Sequence, residues 1–294
     1  MKISEANQAF FSRCYAKNLK PLTIDWYMRR FKLLAKFLAE KKTDDIGMVT
    51  PAHIREYLTI LRQQGLSPET IFRAWGALKC YFHFLHMETS INEDPMARIE
   101  KPKREKRIIQ PMTMPQVRAL VAQLDLKKFE GLRDRALMLL MVDSGLRLAE
   151  VISLKTTRID WKDCIVTFMG KGGKERSVPI GETTKLAMAA YARVQPKTAF
   201  PHFFLSHRGR PMINRYVQAA MRRYGKKAAI TGVRVSPHTL RHTFAIQYVK
   251  NGGDVFSLQA MLGHSTLEMV RNYVNFAAAD IMTAHRKFSP IDFR

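Results

Sequence analysis

The stretch ARIEKPKREKRIIQPMTMPQ, residues 97–116, does most to limit what this chain can fold into. Pro102, Pro111 and Pro115 remove three backbone donors and bias the residues before them away from helix. Five cations fall within the seven residues of KPKREKR. A segment of this kind reads as an extended, cationic linker. The 294 residues therefore divide into two units of ordinary size, each long enough to bury its own core. The boundaries expected are 1–98 for a helical unit, 99–112 for the linker and 113–294 for a second unit.

Before the linker, apolar residues recur at helical spacing in FFSRCYAKNL, IDWYMRRFKLLAKFLAEKK, PAHIREYLTILRQQG and PETIFRAWGALKCYFHFLHME. Thr50 before Pro51 and Ser67 before Pro68 are caps followed by proline at the first helical position, and Gly65 suits a helix end. Four helices packed as a small bundle follow, with Phe72, Trp75, Tyr81, Phe82 and Phe84 assigned to its core. After the linker, MPQVRALVAQL and GLRDRALMLLMVDSG read as helices, and DCIVTFMGKGGKERSVPIG as two short strands joined by a Gly-Lys turn. More helices continue to the end. The fold class predicted is mainly α with a small antiparallel β-sheet, in a four-helix unit and a mixed α/β unit.

Charge narrows the partner. The chain carries 49 Lys and Arg against 25 Asp and Glu, a formal +24. Residues 1–100 hold 15 basic and 11 acidic side chains, while residues 101–294 hold 34 and 14. From Thr183 to Gly253 there are 13 Lys or Arg and no Asp or Glu. A cationic stretch without acidic partners points to a nucleic-acid surface. The three cysteines, Cys14, Cys80 and Cys164, form no C-x-x-C pair, so neither a disulfide framework nor a zinc knuckle is expected. No apolar run reaches membrane-spanning length and the first twenty residues lack a signal-peptide core, so no membrane partner and a cytoplasmic location are expected.

Titratable chemistry gathers in HTLRHTFAIQYVKNGG, residues 238–253, and LGHSTLEMVRNYV, residues 262–274. Ser236 caps a helix with Pro237 in its first turn, which sets His238 and Arg241 at i, i+3 near the helix N-terminus, where amides and dipole favour an anion. Arg241 adds a fork for a phosphate. His238 and His242 are spaced for zinc, but the middle carboxylate of H-E-x-x-H is missing. GKGGKERS fails as a nucleotide-phosphate loop because Glu175 follows Lys174 and the turn joins strand to strand. Asp254 reads as an N-cap, Gly263 as a helix end, and STLE, from Ser265 to Glu268, as a capping box opening the next helix, with Tyr273 on its second turn or just past it.

The order of these elements resembles the tyrosine recombinases, or phage integrase family, and within it the Xer-like members. SGLRLAEVISL matches the first arginine box, GKGGKERSVPI the hairpin lysine, HTLRH the H-x-x-R box, and LGHSTLEMVRNY the last histidine and the tyrosine. The resemblance spans nearly the whole chain, with 1–98 as a SAM-like core-binding DNA-binding domain and 113–294 as the catalytic domain. Many members carry a histidine two residues after the tyrosine; here that residue is Asn275.

The resemblance implies a site-specific recombinase that cleaves and rejoins double-stranded DNA through a 3′-phosphotyrosine and a Holliday junction. The catalytic residues expected are Arg147, Lys171, His238, Arg241, His264 and Tyr273, with no cofactor and no metal. Arginine forks suit the non-bridging oxygens of a phosphodiester. Tyrosine, with a pKa of about 10, needs a base such as His238. Lys171 fits the role of acid for the leaving 5′ oxygen, with Lys174 as the alternative, and Glu150 is placed to orient an arginine or nearby backbone. The assembly implied is a homo- or hetero-tetramer on two DNA sites, with or without a directionality factor, and with the tail after Ala279 docked on a neighbouring protomer. The rival readings are a type IB topoisomerase-like nicking-closing enzyme and a non-catalytic DNA-binding relative.

Overall fold

The computed structural model describes residues 1–88, 90–103, 110–169 and 175–263. It divides into two compact units, Met1–Arg107 and Ile108–Arg294.

The first unit is built on α1 (Ile3–Ala16), α2 (Pro21–Glu40), α3 (Pro51–Gln63) and α4 (Pro68–Met87). The caps form as expected: the Thr50 hydroxyl accepts from the His53 amide at 3.4 Å and the Ser67 hydroxyl from the Thr70 amide at 3.3 Å. Phe10 lies at the centre, with Phe31, Tyr81 and Phe84 rings 5.2, 5.4 and 5.6 Å from its own, mostly edge-on. Tyr81 keeps its hydroxyl satisfied by donating to Asn7 Oδ1 at 2.7 Å. Tyr81, Phe82 and Phe84 are buried as predicted, but Phe72 and Trp75 are only half-buried. Lys101 lies over the Phe72 ring and Lys79 over Trp75, each at 5.2 Å, and the Trp75 indole donates to the Ile99 carbonyl at 3.3 Å. The chain after α4 thus covers the two rings, with lysines completing the cover.

The second unit contains α5 (Met114–Val121), α6 (Phe129–Ser144), α7 (Leu148–Ile152), β1 (Ile159–Asp160), β2 (Ile165–Met169), β3 (Glu175–Pro179), α8 (Glu182–Ala192), α9 (Asn214–Lys227), α10 (Pro237–Lys250) and α11 (Val255–Leu262). Helix α6 packs on α8 and α10, with Ala136, Leu137, Met138, Leu140 and Met141 buried in its apolar second half. Its first turns bury Arg133, which pairs with Asp134 at 2.8 Å and donates to the Leu205 carbonyl and the Tyr216 hydroxyl. That pairing keeps the buried charge compensated and fixes α6 against α9.

The sheet is antiparallel in the order β1-β2-β3. Two strands were expected; β1 is two residues long, too short for alternation to show in sequence. In the β2-β3 register Val166 faces Val178 and Phe168 faces Arg176, so Arg176 occupies an inward position of its strand. The two ends of the expected linker are packed: Ile99 belongs to the core of the first unit and Met112 to that of the second. The Met112 amide donates to the Thr243 hydroxyl of α10 at 2.9 Å.

Candidate active site

Arg147 sits where α6 ends and α7 begins. Gly145 closes α6 in the left-handed conformation, φ 64°, and a Cβ there would collide with the Phe244 ring of α10 and with Leu262 of α11. Only glycine allows these three elements to meet so closely. Two residues on, Arg147 is the N-cap of α7. Glu150, the third residue of that helix, accepts from the Arg147 amide at 2.7 Å and from Arg147 Nη1 at 3.0 Å. One carboxylate therefore caps the helix and orients the guanidinium, the task expected for it. The Arg147 side chain stays 37% exposed, open to a ligand, while Glu150 is 10% exposed.

Arg241 lies in the second turn of α10 and is 5% exposed. Nη1 donates to the Gly145 carbonyl at 2.6 Å and Nη2 to the Leu262 carbonyl at 2.8 Å. Both acceptors are neutral, so these bonds fix the fork without adding negative charge. They tie together the chain two residues before Arg147 and the chain two residues before His264. His238, one turn earlier on α10, is exposed. Its helix start is held by Ser236, whose hydroxyl accepts from the Thr239 amide at 3.2 Å. His242 is half-buried, and burial together with the charges of His238 and Arg241 holds its pKa below the usual 6.5.

One residue of the cluster escaped the sequence reading. Arg176, from β3, donates through Nη2 to Glu150 Oε2 at 3.0 Å, so Glu150 bridges two arginines. Burial and the charge of Arg147 push the Arg176 pKa down, and Glu150 opposes them. The available signal was strand alternation: Arg176 and Val178 fall on the same face of ERSVP, and a cation at an inward position needs a partner.

The structure thus links Arg147 and Arg241 through Gly145 and keeps His238 on the helix that carries Arg241. Lys171, Lys174, His264 and Tyr273 lie outside the described residues. Among the described residues, three guanidinium groups gather about one carboxylate, an arrangement that suits an anion such as a phosphodiester.

Comparison with known proteins agrees in both units. Residues 11–89 match the phage integrase N-terminal SAM-like domain and residues 93–279 match the phage integrase family. Tyrosine recombinase XerD of Staphylococcus haemolyticus (strain JCSC1435) is 31% identical over 279 residues, covering 93% of this chain and 94% of the relative. Tyrosine recombinase XerC of Chlamydia pneumoniae is 30% identical over 248 residues, covering 83% and 79%. In fold, the chain is similar to a lambda integrase fragment in a dimer bound to a COC′ core site, with a TM-score of 0.78 at 19% identity, covering 92% and 97%. It is also similar to the XerH site-specific recombinase in a post-cleavage complex with a palindromic difH substrate, with a TM-score of 0.77 at 18% identity, covering 92% and 81%.

Proposed function

The chain belongs to the phage integrase family and is a tyrosine-type, site-specific DNA recombinase; from that premise we propose that Arg147, Lys171, His238, Arg241, His264 and Tyr273 form its catalytic site. Arg147 and Arg241 hold the non-bridging oxygens of the scissile phosphate and offset the charge that builds as phosphorus becomes five-coordinate. The Tyr273 oxygen attacks phosphorus and passes its proton to His238. The bond from phosphorus to the 5′ oxygen breaks, and Lys171 protonates that oxygen. His264 donates to a phosphate oxygen. The resulting 3′-phosphotyrosine keeps the strand's bond energy, so a 5′ hydroxyl from the partner duplex restores a phosphodiester without ATP. Two rounds pass through a Holliday junction.

The observation that carries this reading is the Arg241 fork on the Gly145 and Leu262 carbonyls. It supports a site in which the arginine of the H-x-x-R box, the first arginine box and the chain leading to the last histidine act on one phosphate. Residues 1–98 serve as the core-binding domain, 99–112 as a basic linker and 113–294 as the catalytic domain. The protein works in the cytoplasm as a homo- or hetero-tetramer on two sites, with or without a directionality factor. No helix among the described residues is long and apolar enough to cross a membrane.

The test uses duplexes selected by the protein from a random-sequence pool and then nicked beside the scissile position, so that the cleaved fragment diffuses away. Wild type accumulates a covalent DNA adduct; Tyr273→Phe binds the same duplex and forms none. An adduct in Tyr273→Phe removes that residue from its role, and no adduct in wild type favours the non-catalytic reading. Strand exchange between two duplexes separates a recombinase from a nicking-closing enzyme.

A further inference from the structure

Arg176 is an expensive residue for the place it occupies. Its side chain is 15% exposed, its guanidinium carbon lies 4.6 Å from the centre of the Phe168 ring across the strand pair, and its Nε is buried without a hydrogen-bond partner among the described residues. A buried donor left unpaired is a net cost to the fold. An apolar side chain opposite Phe168 would give the sheet an ordinary inward face. The fold therefore has no need of this cation, and its polar end reaches elsewhere: Nη2 to Glu150, which also holds Arg147, and Nη1 toward Gly263.

Gly263 ends α11 in the left-handed conformation, φ 61°, and a Cβ at this position would fall on Arg176 Nη1. Arg176 thus touches two of the segments that Arg241 already joins, and it belongs to the strand that begins four residues after Lys171.

We propose that Arg176 is a positioning residue for DNA cleavage: through Glu150 it sets the Arg147 guanidinium, and through Gly263 it couples that setting to the end of α11. The proposal rests on the reading of Arg147 as a phosphate-holding residue. Arg176 is not required to touch DNA. The fork is what matters, since a lysine carries the charge but offers no rigid planar pair of donors.

The experiment measures covalent adduct formation at saturating concentrations of the selected nicked duplex, with the scissile group either a phosphodiester or a neutral methylphosphonate. The methyl group removes the charge that Arg147 neutralises, so a defect that acts through Arg147 shrinks on that substrate. Arg176→Met keeps an unbranched stem on Phe168. It is expected to bind DNA within about threefold of wild type and to cleave the phosphodiester about tenfold or more slowly, since misplacing a transition-state contact by about 1 Å can cost ~10²-fold. On the methylphosphonate its defect should fall below about threefold, as should that of Arg147→Ala, while Arg176→Lys should recover only part of the phosphodiester rate. Gly263→Ala displaces the fork with Arg176 still present and should reproduce the defect, and Arg176→Met combined with Gly263→Ala should be no slower than the slower single variant. Thermal unfolding of each variant checks the fold, and Gly263→Ala reads the same contact if Arg176→Met does not fold. Equal defects on both substrates, or additive losses in the double variant, overturn the role of Arg176 alone. A wild-type chain that forms no adduct on either substrate overturns the recombinase reading itself.

Discussion

Glu150 shows how much one carboxylate can do when its geometry is fixed. It caps α7, orients Arg147 and receives Arg176. His242 has a different setting. Burial and the neighbouring His238 and Arg241 favour its neutral form, so its pKa lies below 6.5 in the folded protein. The unfolded chain binds that proton more readily, so the contribution of His242 to stability is complete above about pH 6.5 and is lost as pH falls toward the depressed folded value. The thermal midpoint of the catalytic unit should therefore drop between pH 7.5 and pH 5.5, and His242→Gln should reduce that drop. An equal drop in both proteins would assign the acid sensitivity to other groups.

At the scale of elements, the decisive junction lies between α6 and α7. The Gly145 carbonyl accepts from Arg241 while its Cα packs against Phe244 and Leu262, so the turn that presents Arg147 is held by α10 and α11. Gly145→Ala adds a strained positive φ, worth about 1 kcal/mol, to overpacking of a kind that costs about 1–3 kcal/mol. The expected loss is about 2–4 kcal/mol in chemical denaturation. Gly232 also has a positive φ, 75°, but faces open space, so Gly232→Ala should cost only the backbone share. Similar losses in the two variants would mean that the close approach at Gly145 relaxes easily. Asp254 adds a second fixed point by capping α11 through the Phe256 and Ser257 amides at 2.8 and 3.0 Å, which sets where Leu262 and Gly263 arrive.

For the whole molecule, both units carry an excess of cations: Met1–Arg107 holds 20 basic and 12 acidic side chains, and Ile108–Arg294 holds 29 and 13. Assembly is the remaining level. Ile281, Met282 and Phe288 recur at loose helical spacing after Tyr273, in a stretch too short to bury its own apolar face. Removing the residues after Ala279 should leave binding to a half-site intact and abolish both cooperative occupancy of a full site and recombination. Band-shift titrations of half and full sites read this directly. Unchanged cooperativity in the truncated protein would place the tail on its own protomer.

The helical period of the first hundred residues, the caps at Thr50, Ser67 and Ser236, the helix end at Gly263 and the strand pair around GKGG were all legible, because each depends on residues close in sequence. So was the bipartite organisation, which three prolines and a run of cations impose. Four separated boxes in order also marked Arg147, His238 and Arg241 as candidates. Local pattern could not reveal what those residues touch. That Arg241 donates to Gly145 and Leu262, 96 and 21 residues away, depends on how α6, α10 and α11 pack. That Arg176 belongs to the same cluster depends on the register of β3 against β2, which sets a guanidinium opposite Phe168 and within reach of Glu150. The sequence determined which elements form and which residues are candidates for the chemistry, since propensity, capping and residue type are local properties. Only the tertiary structure decided which charges share a carboxylate and which glycines must be bare, because those are matters of distance between segments that the chain order leaves apart.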